Sequence, residues 1–81
     1  MPYTYRLRED TIHDEEGKEY IVYGIEAVNS KKKVLSLFSD IFFDKQKAET
    51  FVNLCNEGKL ELIHLADVVE DAITEQYAIF K

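Results

Sequence analysis

Three side chains in this 81-residue sequence have the spacing of a ligand set. His64, Asp67 and Asp71 fall at i, i+3 and i+7 around the start of a helix-like segment, with Glu70 alongside. Such spacing gathers an imidazole and two carboxylates on one side of a helix, and hard or borderline divalent metals accept those ligands. The same residues have a plainer use. Acidic side chains in a helix's first turns complement its dipole, and His64 stands where a cap would. A catalytic zinc draws mainly on histidine and cysteine, and the chain has only two histidines. The structural use is the expectation, and a small ligand or metal held by His64, Asp67 and Asp71 is the alternative.

The other candidates are weaker. His13 precedes Asp14-Glu15-Glu16 in an expected hairpin tip, where ligands would lack rigid support. Cys55 falls on the inward stripe of a helix near its C-terminal end, where the dipole disfavours a thiolate. It reads as a small buried hydrophobe. Ser30, Ser36 and Ser39 have no nucleophile elbow around them, and Gly17, Gly24 and Gly58 are isolated, so no phosphate loop is present. The chain is therefore read as non-enzymatic, with no cofactor.

Sixteen acidic against ten basic residues give a net charge of −6. Nucleic acid would be repelled unless the basic residues clustered. The one cluster, Lys31-Lys32-Lys33, falls at an expected hairpin tip and reads as a solvated turn. The N-terminal run MPYTYRLRED has no apolar leader core, and no stretch approaches a membrane span. One cysteine rules out an internal disulfide and suits a reducing compartment, so a cytoplasmic location is expected. A single domain over residues 1–81 lies near the lower size limit for a self-sufficient core, and association is an obvious extra source of stability.

The elements follow from a change of hydrophobic period near Asp44. Before it, apolar residues alternate as on strands. A three-residue loop of Glu15, Glu16 and Gly17 sets Asp14 opposite Lys18, Leu7 opposite Ile25, Tyr5 opposite Ala27 and Arg6 opposite Glu26. A second loop of Ser30, Lys31 and Lys32 sets Asn29 opposite Lys33, and counting on pairs Ala27 with Leu35 and Ile25 with Leu37. That register gathers Tyr3, Tyr5, Leu7, Ile21, Tyr23, Ile25, Ala27, Leu35, Leu37 and Ile41 on a core face. After Asp44, a helix presents Ala48, Phe51, Val52 and Cys55 and stops at Gly58. A second helix runs from His64 or Leu65 to about Tyr77, with Leu65, Val68, Val69, Ala72 and Ile73 inward. The expected fold is α+β: a three-stranded antiparallel meander, order 1-2-3, followed by two α-helices packed on one face.

The face without helices is expected to carry Thr4, Arg6, Arg8, Ile12, Val22, Gly24, Glu26, Val28, Val34, Ser36, Phe38 and Asp40. That is more apolar than a solvated sheet surface needs. Val22, Val28, Val34 and Phe38, with Arg6 and Arg8 at the rim, form a candidate partner-binding surface for a second copy or another protein. The tail Gln76–Lys81 could cover part of it or add an edge strand.

Several runs match a known group. Tyr23-Gly24-Ile25-Glu26-Ala27, Asp44-Lys45, Leu54-Cys55-Asn56 and Ile63-His64-Leu65-Ala66-Asp67-Val68-Val69-Glu70-Asp71 resemble a family of small uncharacterised proteins (a domain of unknown function) from clostridia and related Firmicutes. The likeness runs from about Tyr5 to about Ile73. It implies a bacterial cytoplasmic protein and brings no catalytic residue with it. The expected function is a non-catalytic protein-interaction module that forms a homodimer or binds a protein partner, without nucleic acid or membrane.

Overall fold

Two hairpins built on one loop plan organise the sheet. The computed structural model describes the backbone of residues 3–78 and the side chains of residues 3–75. β1 (Tyr3–His13) and β2 (Glu19–Asn29) join through Glu15, Glu16 and Gly17, with Asp14 N–H donating to Lys18 O at 3.0 Å and Gly17 at φ 81°. The Asp14 carboxylate accepts from the N–H groups of Glu16 and Lys18, each at 2.9 Å. β2 and β3 (Val34–Phe42) repeat the plan. Asn29 N–H donates to Lys33 O at 3.0 Å, and its side-chain oxygen accepts from Lys31 and Lys33 at 2.9 Å. Here the left-handed position is filled by Lys32, at φ 62°.

The sheet is antiparallel in the order β1-β2-β3. Between β1 and β2 every expected pair is found, including Tyr5 with Ala27, Arg6 with Glu26 and Leu7 with Ile25. β3 departs from simple counting. Val34 faces Val28 as expected, but Ser36 faces Ala27 and Phe38 faces Ile25. One step on β2 is matched by two on β3, so Leu35 is an extra residue, a bulge that turns Ser36, Leu37 and Phe38 to the opposite faces from those expected. Phe38 therefore lies on the helix-covered face, packed against the core, and not on the open face as expected. Leu35 and Leu37, expected inside, are 42% and 44% exposed.

A second shift follows, because Tyr23 pairs with Phe42 and not with Ser39. Asp40 turns the chain there at φ 58°. Gly24 explains where this happens. A Cβ at that position would overlap the Phe38 carbonyl oxygen and stand 2.8 Å from Ser39 Cα. The missing side chain thus admits the β3 backbone, not the Phe38 ring.

α1 (Lys45–Glu57) and α2 (Leu65–Ala78) cover one face, the latter after a short 3₁₀ turn at Leu62–His64. Asp44 caps α1 by accepting from Gln46 N–H at 2.9 Å. The C-terminal stop differs in detail from expectation. Gly58 is in the right-handed region at φ −79°, and Lys59 takes the left-handed position at φ 51°. Lys59 N–H donates to Asn56 O and Leu60 N–H to Cys55 O, which is a Schellman closure with lysine where glycine is usual.

The core comprises Tyr5, Ile25, Ala27, Ile41, Phe42, Ala48, Val52, Cys55, Leu65 and Val69. Phe51, Val68, Ala72 and Ile73 flank it as the helical spacing predicts, whereas Leu54 is 61% exposed. Ile21, expected inside, is also exposed, because the first hairpin runs beyond the cover of the helices and every residue from Thr11 to Ile21 is solvent-facing. The expectations for Ile79, Phe80 and Lys81 and for the side chain of Tyr77 lie outside the described residues.

Candidate functional site

The open face is built around a buried charge. Among the described residues Glu26 is the one buried charged side chain, and both neighbouring arginines reach it. Arg6 Nε lies 2.6 Å from Glu26 Oε1, and Arg8 Nη1 lies 3.8 Å from Glu26 Oε2. Arg8 Nε also donates to Asp10 Oδ2 at 2.7 Å. The β1–β2 register puts these four groups on one face at neighbouring positions. Two positive and two negative charges leave the cluster neutral on a chain of net charge −6.

The expected partner-binding residues separate into three groups. Val22 and Val28 are on the open face but buried, at 1% and 8% exposure. Val34 is exposed, whereas Arg6 and Arg8 lie on the other edge strand, paired to Glu26 and Asp10. Phe38 has left the set. Its place is taken by Leu37, opposite Glu26, and by Leu35 at the bulge. The signal that could have exposed this exchange was Gly24, whose lack of a side chain marks a close approach of β3.

The alternative ligand set is not assembled. His64, Asp67 and Asp71 are exposed, and His64 Nε2 approaches only Glu61, at 4.0 Å. Among the described residues no three His, Cys, Asp or Glu side chains converge as metal ligands. His64 closes the 3₁₀ turn, immediately before α2. His13 lies 3.2 Å from Glu19 on the exposed hairpin. Cys55 is buried, and burial pushes its thiol pKa up, away from a reactive thiolate. An open groove of about 580 Å³ has Phe42, Phe51, Leu54 and Ala72 as its apolar lining. The titratable groups on its rim are Asp44, Lys47 and Glu75.

The architecture is that of a small α+β domain with one sheet face covered by helices and the other, among the described residues, without helix cover. Residues 1–75 match the family described as a family of unknown function (DUF6514), and the chain belongs to that family. It matches no curated protein and no solved structure. No helix among the described residues is long and apolar enough to cross a membrane.

Proposed function

We propose that the domain is a non-catalytic protein-interaction module of a bacterial cytoplasm, and that its open sheet face docks a protein surface. The carrying observation is the row Val34, Leu35 and Leu37, 42–44% exposed on β3, beside the neutral Arg6–Glu26–Arg8–Asp10 cluster. Apolar area next to paired charges is the composition of an interface core and its rim. Self-paired charges also avoid the repulsion that the rest of this acidic chain would offer to an acidic protein.

The test is a photo-crosslinking side chain placed at Leu37 in cells, with Asn53 on the exposed side of α1 as the control. Discrete protein adducts from position 37 and none from position 53 support the reading. Equal labelling from both, or none from either, counts against it. An adduct of twice the chain mass identifies a second copy, and any other mass a different protein.

A further inference from the structure

The two edges of the sheet are unlike. β3 is broken by two register shifts, whereas β1 runs eleven residues in unbroken register with β2. Natural sheets close their edges with bulges, prolines or covering side chains. Between Tyr3 and His13, β1 contains neither bulge nor proline.

Hydrogen-bond parity identifies the free groups. The Asp14–Lys18 pair closes the hairpin, so even-numbered residues of β1 bond to β2 and odd-numbered residues direct N–H and C=O outward. Tyr5 confirms the parity, because its outward groups are both taken by the Asn56 side chain, at 2.9 and 2.8 Å. The next outward residues are Leu7, Glu9, Thr11 and His13. Among the described residues nothing bonds to their outward backbone groups.

We propose that Leu7–Thr11 is a strand-addition site for the same edge of a second copy, paired antiparallel about Glu9. In that pairing Leu7 meets Thr11 of the second copy, Thr11 meets its Leu7, and Glu9 meets its Glu9. The next pair would join Tyr5 to His13, and Asn56 already occupies Tyr5, so the clamp ends the pairing there, and the register shifted to centre on Asp10 would set Asp10 against its own copy. In this register Arg8 lies opposite Asp10 of the second copy, twice over, which is a favourable cross-strand pair. The segment Arg6–Thr11 is itself neutral, so the overall charge of −6 does not bar local contact.

This inference stands apart from the open-face reading, because the edge and the face are altered by different substitutions. The experiment is light scattering on a sizing column over a range of concentrations, with circular dichroism to confirm folding. The wild type is expected to show twice the chain mass when concentrated and to dissociate on dilution. Glu9→Pro and Thr11→Pro each delete an outward N–H that β2 does not use, and proline is tolerated at such edge positions. Both are expected to be folded monomers, while Leu37→Asp keeps the dimer. Glu9→Gln removes the one like-charge contact and should lower the concentration of half-dissociation about two- to fivefold. A wild type that stays monomeric throughout overturns the proposal. So does a dimer that survives in folded proline variants, or a half-dissociation point unmoved by Glu9→Gln.

Discussion

Asn56 acts as a one-residue strand against Tyr5: its Oδ1 accepts from Tyr5 N–H at 2.9 Å and its Nδ2 donates to Tyr5 O at 2.8 Å. The tyrosine hydroxyls complete the join. Tyr5 Oη–H donates to Leu60 O at 2.6 Å, and Tyr3 Oη accepts from Leu62 N–H at 2.9 Å. The rings meet edge to face with centroids 5.8 Å apart. The connector between the helices is thus tied to the first strand by side chains 51 to 59 residues distant in sequence.

Asn56→Ala should therefore cost about 1–3 kcal/mol in a urea melt, since two partly buried backbone groups lose their partners. Asn56→Asp keeps an acceptor but no donor, and should also destabilise. A loss within error for both would mean that water replaces the clamp.

The matched hairpin loops make an internal control. Gly17 and Lys32 occupy the same left-handed position, and a non-glycine residue there costs about 1–2 kcal/mol, partly offset by a stiffer unfolded chain. Gly17→Ala should destabilise by up to about 1 kcal/mol, although a Cβ there meets no atom within 4 Å. Lys32→Gly and Lys59→Gly should stabilise by a similar amount. Thermal melts read both signs.

Neighbouring substitutions on β3 test the bulge. Phe38→Asp puts a carboxylate against the core and should cost about 3–5 kcal/mol or prevent folding. Leu37→Asp, on the open side, should change stability by no more than about 1 kcal/mol. The opposite order would restore the simple register. Gly24→Ala should be as damaging as Phe38→Asp, because the obstruction is backbone.

Alkaline pH should weaken the domain. Burial, with smaller contributions from Tyr3 and Cys55, pushes the Tyr5 pKa up from 10.0 to about 12. A raised folded-state value means that the folded chain holds its proton longer. The stability tied to this group is complete below pH 10 and is lost as pH rises toward about 12. Cys55 acts in the same direction, from burial. Tyr5→Phe should flatten that part of the pH profile while lowering stability at neutral pH through loss of the Leu60 bond.

Acid should loosen the first hairpin. The Lys18 backbone N–H, then those of Glu16 and Gly17 and the Tyr20 hydroxyl, hold the Asp14 carboxyl below its ordinary 3.8. That contribution is present above pH 3.8 and disappears as pH falls through the lower folded value. Asp14→Asn should remove the dependence, since Asn29 supports the second hairpin by the same contacts without a charge. Amide-resolved NMR of Lys18 across pH 2–5 gives the measurement.

Much of the fold was legible because its determinants are local. Asp14-to-Lys18 and Asn29-to-Lys33 are three-residue loops whose chemistry sets each hairpin, and alternation carries the β1–β2 register along eleven pairs without a break. The α2 stripe of Leu65 and Val69 follows from helical spacing alone. The third strand was not legible, because a bulge at Leu35 is chosen by packing. It brings Phe38 and Phe42 under the helices and lets β3 close over Gly24, which alternation between strands does not encode. Likewise the sequence by itself determined that the two amphipathic helices lie on one face of the sheet and leave the other without helix cover. Only the tertiary structure decided which residues that face shows and which strand edge stays open. Those depend on Asn56 reaching Tyr5 across 51 residues, a contact set by the final placement of α1.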